Sequence, residues 1–337
     1  MRQLLHTLYV MEPDITLHLA GKALEAVHED GRKDHIPLHM LEKIVSFSCR
    51  PASPSLMARC ADSGVDMVFL SQSGRFRYRV TGKTQGNVLL RKQQHTLSEQ
   101  QRFSYAKAVL RGKLYGEIFT LSRFRRNHPK ARASKGVEQK LNQKMEKLED
   151  ISDTKTLRGV EGAAAKAYFS VFNDMILPRD PLFCFDTRTR RPPKDRCNAM
   201  LSFAYELLAM DCVSALESAG LDPYAGFFHE MRPGKPSLAL DLMEEFRSSI
   251  ADRHVLRMIN LHMISSDLFQ EKNGGIYLND AGRQKFLQEW NRMRQKEVEL
   301  PDLDTKAPVG LLPHLQAARL ARCLRGEEAE YQPVRRR

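Results

Sequence analysis

This 337-residue sequence lacks the features that mark secreted and membrane proteins. Its six cysteines are widely scattered and include no CxxC pair, which argues against a disulfide framework and against structural zinc. Its longest apolar runs fall far short of the ~20 residues that a membrane-spanning helix needs. The first residues carry His6 inside an apolar run and no small-residue cleavage site, unlike a signal peptide. These absences predict a cytoplasmic protein.

The chain also has fewer acidic residues than basic residues. The chain has 53 Lys and Arg but only 41 Asp and Glu, which leaves a net charge of +12 at neutral pH. A protein with this excess is drawn to acidic polymers. We therefore expect nucleic acid as the first candidate partner and an anionic membrane surface as the second.

The chain divides into a first part that favours strands and a longer second part that favours helices. Up to residue 80, short apolar runs alternate with turn signals such as Asp30-Gly31, although residues 54–64 have helical spacing. From Ser98 onward the spacing is helical almost throughout, and Ser98-Glu99-Gln100-Gln101 has the form of a capping box. We expect an α+β fold with two domains. Their predicted bounds are a β-rich domain at 1–86, a linker at 87–97, and an all-α domain at 98–337 that ends in a disordered basic tail, Val334–Arg337.

Two polar patterns in the first part each allow two interpretations. Arg75, Arg77 and Arg79 alternate with apolar residues and form a basic row on one strand face, which fits a phosphate track or a solvated outer face. A predicted hairpin tip carries four side chains that could bind a metal: His28, Asp30, Asp34 and His35. Because polar residues are expected at a hairpin tip in any case, we favour the turn interpretation there.

The second part is organised around the stretch HEMRPGKPSLALDLMEEFR, which runs from His229 to Arg247. A Pro/Gly/Lys loop follows the histidine, and Ser237 is the predicted cap of a helix. Asp241 precedes Glu244 by three residues and Glu245 by four, so the three carboxylates can lie together on one helix face. Neighbouring carboxylates repel one another, and a divalent cation would give a reason to keep them. A solvated acidic face is the alternative.

Glu161 is the other carboxylate that stands out. It lies in RGVEGAAAKAYF, among small and aromatic residues where a buried charge needs a partner. Together with His229 and Glu244 it would form a site with one imidazole and two carboxylates. Such a donor set suits Mg²⁺ or Mn²⁺, and the imidazole favours Mn²⁺.

Three segments in this order and spacing resemble one known family: GVEGAAAKAYF, RRPPKDRCNAMLSFAYELL and HEMRPGKPSLALDLMEEFR. They are similar to the CRISPR-associated integrase and endonuclease of spacer acquisition, the "Cas one" family. The N-terminal run, including SPSLMARCADSGVDMVFLSQSGRFRYRV, is similar to the form found in type I-C systems. The resemblance covers nearly the whole chain. It implies a β-rich N-terminal dimerisation domain and an all-α C-terminal catalytic domain.

The resemblance also implies a function, a metal site and partners. The implied activity is insertion of short foreign DNA into a CRISPR array, and the implied ligands of Mg²⁺ or Mn²⁺ are Glu161, His229 and Glu244, with Asp241 beside them. The family often has Asp at the last ligand position, so Glu244 is a carboxylate that is longer by one methylene there. Its neighbour Glu245 is the alternative ligand. The implied assembly is a homodimer that joins the small "Cas two" protein in a heterohexamer around double-stranded DNA.

The chemistry needs no nucleophilic side chain. A DNA 3′-hydroxyl attacks a phosphodiester of the repeat in line, and a divalent ion lowers the pKa of that hydroxyl and neutralises the developing charge. His229 is expected to be a ligand rather than a general base. Four further residues of the matched segments could contact DNA or brace the site, and Lys235 is expected to contact phosphate. These residues are Lys235, Ser237, Asn198 and Tyr205.

Two other functions compete with this one. A basic architectural DNA-binding protein would use the carboxylates only to cap and solvate helices. A nucleotide phosphohydrolase would more naturally use paired His-Asp ligands, and the helical part has no adjacent His-Asp pair.

Overall fold

The computed structural model describes residues 7–10, 12–71, 76–82, 88–129, 133–177, 181–303 and 305–335. The first part contains the strands β1 (Thr7–Val10), β2 (Thr16–Ala20), β3 (Ala23–Val27), β4 (Lys33–Pro37), β5 (Lys43–Ser46), β6 (Asp66–Leu70) and β7 (Phe76–Val80), with helix α1 (Pro54–Ser63). The second part contains the helices α2 (Val88–His95), α3 (Glu99–Asn127), α4 (Ala133–Glu146), α5 (Thr154–Ser170), α6 (Arg196–Ser218), α7 (Ser237–Phe246), α8 (Arg253–Asn260), α9 (Asp280–Arg294) and α10 (Leu312–Leu324). Between these helices lie the strands β8 (Phe269–Lys272), β9 (Gly275–Leu278), β10 (Glu297–Leu300) and β11 (Thr305–Pro308).

Two sheets form the first part. One is a mixed sheet in the order β1-β5-β6-β7, with only the β6–β7 pair antiparallel. The other is an antiparallel meander of β2, β3 and β4. Helix α1 makes the crossover between the parallel strands β5 and β6. Its bounds follow from local chemistry, since Ser53 caps its first turn and Gly64 ends it at a φ of 72°.

Helices dominate the second part, and α6 runs through its core. Helix α6 is long and apolar enough to cross a membrane by length and composition, but 67% of that apolar stretch is buried inside the protein. We therefore interpret it as a core helix. Helix α3 begins at the predicted capping box, where Ser98 accepts a hydrogen bond from the Gln101 N–H and the Gln101 side chain accepts one from the Ser98 N–H.

The expected α+β class is confirmed, with strands first and mostly helices afterwards. The second part is not purely helical, because β8–β9 and β10–β11 form two short antiparallel hairpins. The segment predicted as a linker contains α2, which is packed against the protein rather than extended. Gln94 of α2 is buried and its amide donates to the carbonyls of Asp222 and Ala225 at 2.8 and 3.1 Å. The division into domains at 1–86 and 98–337 stays a prediction.

Some residues of the two polar patterns in the first part make contacts within the protein, whereas Arg77 is exposed and both interpretations of it stay open. Arg79 pairs with Asp66 at 2.5 Å and with Glu217 of α6 at 2.7 Å, so it belongs neither to a phosphate track nor to a solvated face. Arg75 lies outside the described residues. The His28 ring lies between the carboxylates of Glu12 and Asp34, both at 2.7 Å, and these contacts raise its pKa, the Asp34 hydrogen bond most strongly.

Candidate active site

Helix α3 lies unusually close to α7 because two of its glycines face that helix. A Cβ atom on Gly112 would lie 2.7 Å from Cγ of Glu245, and one on Gly116 would lie 2.8 Å from Oγ of Ser248. Real Cβ atoms do not approach other atoms so closely, so a side chain at either position would force its neighbour on the α7 side to shift. The close approach brings Lys113, which is only 4% exposed, into the space beside α7.

Asp241 of α7 holds the loop that carries His229. Its Oδ2 atom accepts from the N–H groups of Phe227 and Phe228 at 2.7 and 3.0 Å, and its Oδ1 atom accepts from the His229 N–H at 2.9 Å. The loop can wrap this closely because a Cβ on Gly226 would lie 2.6 Å from Ser237 Cβ. Both oxygens of Asp241 are thus engaged. Asp241 braces the site and is poorly placed to bind an ion itself.

The same carboxylate orients the imidazole. Nδ1 of His229 lies 2.7 Å from Oδ1 of Asp241, so in the neutral ring Nδ1 carries the proton. Nε2 then presents its lone pair on the other side, 3.9 Å from Oε1 of Glu244. A carboxylate behind one ring nitrogen is the usual arrangement of a metal-binding histidine.

Glu161 and Glu244 meet around one positive charge. The Lys113 ammonium contacts Oε1 of Glu161 and lies 3.2 Å from Oε2 of Glu244. Oε1 of Glu244 pairs with Arg247 at 2.8 Å. Burial would raise the pKa of Glu244, but the charges of Arg247, Lys113 and His229 outweigh burial and lower it to about 2. Glu244 is therefore ionised at neutral pH.

The three predicted ligands are near one another without forming a ready-made metal cage. Within the described ranges, no three His, Cys, Asp or Glu side chains converge closely enough to hold an ion. The donor set nevertheless fits Mg²⁺ or Mn²⁺, because two carboxylates already enclose a cation and an imidazole lone pair lies beside them. Glu161, His229 and Glu244 are the residues that could hold such an ion once the Lys113 ammonium moves aside.

Glu245 lies on the other side of α7 and does not face this space. Its carboxyl group accepts hydrogen bonds from the Tyr331 hydroxyl, from Nε2 of Gln316 at 3.0 Å and from the Val334 N–H at 3.2 Å. Burial raises its pKa to about 7 against the effect of these donors. Of the two adjacent glutamates, only Glu244 faces His229. The expected disorder from Val334 onward is wrong at Val334, which is buried, while Arg336 and Arg337 lie outside the described residues.

Tyr205 and Asn198 lie in a polar network next to the site. The guanidinium groups of Arg188 and Arg247 each lie over the Tyr205 ring, 5.2 and 5.0 Å from its centroid, and the Tyr205 hydroxyl donates to Asp252 at 2.6 Å. Asn198 is fully buried and accepts from Arg188 at 2.7 Å. These placements favour the bracing interpretation over DNA contact for Asn198, and they make Tyr205 a positioning group for Arg247.

Ser237 and Lys235 lie at the start of α7. Ser237 is buried and its hydroxyl donates to the Glu230 carbonyl at 2.8 Å, which ties the loop to the helix. The predicted Ser cap is wrong, because Pro236 occupies the cap position and makes no side-chain hydrogen bond. Lys235 is half-buried at the rim of the loop, where a phosphate contact stays a prediction.

Four residues of the site were not predicted from the sequence: Lys113, Glu117, Arg247 and Asp252. Glu117 is buried one turn after Lys113, and burial raises its pKa to about 8, so the group is mostly protonated at neutral pH. Asp252 lies at the end of a π-helical turn that continues α7, a distortion that recurs at functional sites. The pairing of residues far apart in the chain gives no local signal. The two glycines in RGKLYGE of α3 were the only hint.

Comparison with known proteins finds one matching protein family and relatives that align with almost the whole chain. A family model described as CRISPR associated protein Cas1 matches residues 8–292. The CRISPR-associated endonuclease Cas1 1 of Chlorobaculum tepidum is 41% identical, and the alignment covers 99% of each chain. The CRISPR-associated endonuclease Cas1 2 of Rhodospirillum rubrum is 42% identical, again over 99% of each chain.

Solved structures share the fold. The structure of a CAS1 protein from Thermotoga maritima superposes with a TM-score of 0.83 at 22% identity and covers 97% of this chain and 99% of that one. A casposase bound to integration product superposes with a TM-score of 0.85 at 23% identity, over 97% and 92% of the two chains. At these identities the likeness establishes the architecture alone.

Proposed function

Because this chain belongs to the CRISPR-associated protein Cas1 family, we propose that it is a metal-dependent DNA endonuclease and integrase. Its substrate is a short duplex of foreign DNA, whose 3′-hydroxyl attacks a phosphodiester of a CRISPR repeat. The cofactor is Mg²⁺ or Mn²⁺, held by Glu161, His229 and Glu244. The similarity of the N-terminal part to the type I-C form stays a prediction.

One observation carries the proposal: two carboxylates enclose a single cation beside an oriented imidazole. Glu244 is kept ionised by its positive neighbours, and the Asp241 carboxylate directs Nε2 of His229 toward it. A purely structural acidic face would have no need for a buried, ionised carboxylate in contact with a histidine on a separate loop. This arrangement supports metal binding over solvation as the role of Glu244.

The protein's own residues position the reaction. Asp241 fixes the loop and the imidazole, and the Tyr205 ring holds Arg247 against Glu244. When bound, the divalent ion would lower the pKa of the attacking hydroxyl and neutralise charge on the phosphate. No covalent intermediate with the protein is needed. His229 serves as a ligand through Nε2, since its Nδ1 is already engaged.

The proposed partners follow from charge and from relatives. The excess of basic residues suits double-stranded DNA as the spacer precursor and the repeat. One structure of the same fold is named a Cas6-RT-Cas1–Cas2 complex, and the casposase structure holds an integration product. We propose that this protein likewise forms a homodimer and joins a small "Cas two" protein in a heterohexamer in the cytoplasm.

Paired measurements on single variants test the metal site. We expect Glu161→Ala and His229→Ala to lower strand transfer by several orders of magnitude, because each removes a ligand. In EDTA, the Glu161→Ala variant should bind DNA as tightly as the wild type or slightly tighter, since one charge that repels phosphate is gone. Glu149→Ala is the matched control: it removes an exposed glutamate, paired with Lys107 and Arg111, that takes no part in the site.

The architectural alternative makes the opposite forecast. It expects no strand-transfer product from the wild type with either ion, and only parallel losses of binding and folding in the variants. If Glu161→Ala keeps wild-type strand transfer, or loses it only in proportion to DNA binding or melting temperature, the proposed metal site is wrong.

A further inference from the structure

Lys113 is the least expected residue in the site. Its side chain comes from α3, while Glu161 is on α5 and Glu244 is on α7, so the ammonium joins three separate helices. It is 4% exposed, and the flanking Gly112 and Gly116 fix the backbone of α3 against α7. The ammonium is therefore held in place by the fold.

The charges explain why this position needs a cation. Without Lys113, the carboxylate of Glu161, whose side chain is 28% exposed, and the buried carboxylate of Glu244 would face each other, and like charges repel. The Lys113 ammonium contacts Glu161 and lies 3.2 Å from Oε2 of Glu244, so one positive charge offsets both carboxylates. In the metal-free protein, Lys113 therefore balances the negative charge of the two carboxylates, which a bound ion would otherwise balance.

A divalent ion requires the same oxygen atoms. Lys113 contacts Oε1 of Glu161 and Oε2 of Glu244, which are the atoms that face each other across the site. An ion coordinated there would lie within a few ångströms of the ammonium, and two cations at that separation repel. Arg247 differs, because it contacts the other oxygen of Glu244 and is held by the Tyr205 ring, so it can stay in place.

We infer that Lys113 is a resident counter-ion that competes with the divalent ion for Glu161 and Glu244. In the metal-free protein it holds the two carboxylates together. When the ion binds, the ammonium must leave their shared face, so Lys113 lowers the affinity for metal and stabilises the metal-free fold. This inference rests on the proposed function, because it takes Glu161 and Glu244 as ligands.

Metal titration without DNA tests the competition. Mn²⁺ is added to the wild type and to Lys113→Met, and free Mn²⁺ is measured by electron paramagnetic resonance. We expect Lys113→Met to bind Mn²⁺ roughly tenfold tighter or more, because a repelling charge is removed. Lys107→Met is the matched control, since Lys107 is on the same helix and pairs with Glu149 away from the site. Equal or weaker binding by Lys113→Met overturns the inference.

A second measurement uses the wild type alone, in case Lys113→Met fails to fold. Lys113 is methylated by formaldehyde and borohydride with and without saturating Mn²⁺, and the modified peptide is quantified by mass spectrometry. The displaced ammonium turns toward the open side of the site, where the His229 side chain is 25% exposed. Labelling of Lys113 should rise with Mn²⁺, while labelling of Lys107 should not. Unchanged labelling of Lys113 at saturating Mn²⁺ contradicts the displacement.

Mn²⁺ binding by the ligand variants distinguishes a failure of this inference from a failure of the proposed function. If the wild type binds Mn²⁺ and Glu161→Ala and Glu244→Ala weaken binding, the metal site stands whatever Lys113 does. If those two variants bind Mn²⁺ like the wild type, the ligand assignment itself is wrong and the competition falls with it.

Discussion

The two sides of α7 place adjacent glutamates in opposite environments. Glu244 is surrounded by cations, which hold its pKa at about 2 despite burial. Glu245, the next residue, is surrounded by neutral donors from the C-terminal segment, and burial raises its pKa to about 7. The same side chain, equally buried, is thus an available anion on one side and a structural acceptor on the other. What decides its role is the charge of its neighbours, and not its depth in the protein.

The largest expected effect comes from replacing the two glutamates one at a time. Glu244→Gln removes the anion that faces His229, and we expect strand transfer to fall by roughly 10³-fold or more, since several kcal/mol of charge stabilisation are lost. Glu245→Gln keeps a group that can accept from Gln316 and donate to the Tyr331 hydroxyl, so strand transfer should stay close to that of the wild type. Equal losses in both variants, at unchanged melting temperature, would contradict the comparison.

A buried imidazole that makes no hydrogen bond within the described residues sharpens the comparison. His254 is 2% exposed, its ring packs edge-on against Phe286 and Trp290, and neither ring nitrogen has a hydrogen-bond partner in the described part of the chain. Burial, together with the charges of Arg257 and Lys296, lowers its pKa from 6.5 to about 3.

The folded protein therefore favours neutral His254, and the sign of the pH effect follows. Its contribution to stability is complete above the unfolded pKa of 6.5 and is lost as the pH falls toward 3. In that window the free energy of unfolding should fall by up to about 1.4 kcal/mol per pH unit from this group alone. Urea unfolding at pH 7, 6 and 5 should show a smaller fall for His254→Leu. An identical pH dependence in both proteins would show that His254 does not contribute.

The smallest expected effect comes from the contact between α3 and the Glu245 side of α7. Gly112→Ala places a methyl group 2.7 Å from Glu245 Cγ and 3.0 Å from Pro333 Cβ, and we expect a loss of roughly 1–3 kcal/mol in unfolding free energy. Gly159→Ala on α5 meets nothing within 4 Å and should be neutral or stabilising by up to about 1 kcal/mol. Urea unfolding of both variants measures the difference, and matching values would rule out the tight helix contact.

Local signals explain what could be predicted from the sequence. The bounds of α1 and the start of α3 follow from Ser53, Gly64 and Ser98, which act on their own helix ends. The β8–β9 hairpin also had a local signal, since Asn273 and Gly274 both adopt positive φ, as a two-residue hairpin turn requires. The signal for the strands themselves is weak, because each flanking strand has only four residues.

Contacts between distant segments explain what could not be predicted. Spacing along a helix allows Glu244 and Glu245 to lie near one face, but consecutive residues point about 100° apart, and only packing decides which one faces the histidine. Lys113 meets Glu161 across 48 positions of the chain. No pattern within α3 specifies that partner. Asp241 was predicted near the site, but its four hydrogen bonds to the 227–229 loop depend on how that loop folds back.

The hydrogen bond between Glu245 and Tyr331 has a consequence for biosynthesis. The two residues are 86 positions apart, so the ribosome releases the helix that carries Glu244 well before the segment that completes its far side. Until Tyr331 and Val334 have emerged, Glu245 lacks two of its three donors and favours solvent over burial. Helix α7 can therefore complete its packing only after residue 334 has left the ribosome, and we expect a chain interrupted before residue 331 to hold Glu244 less firmly.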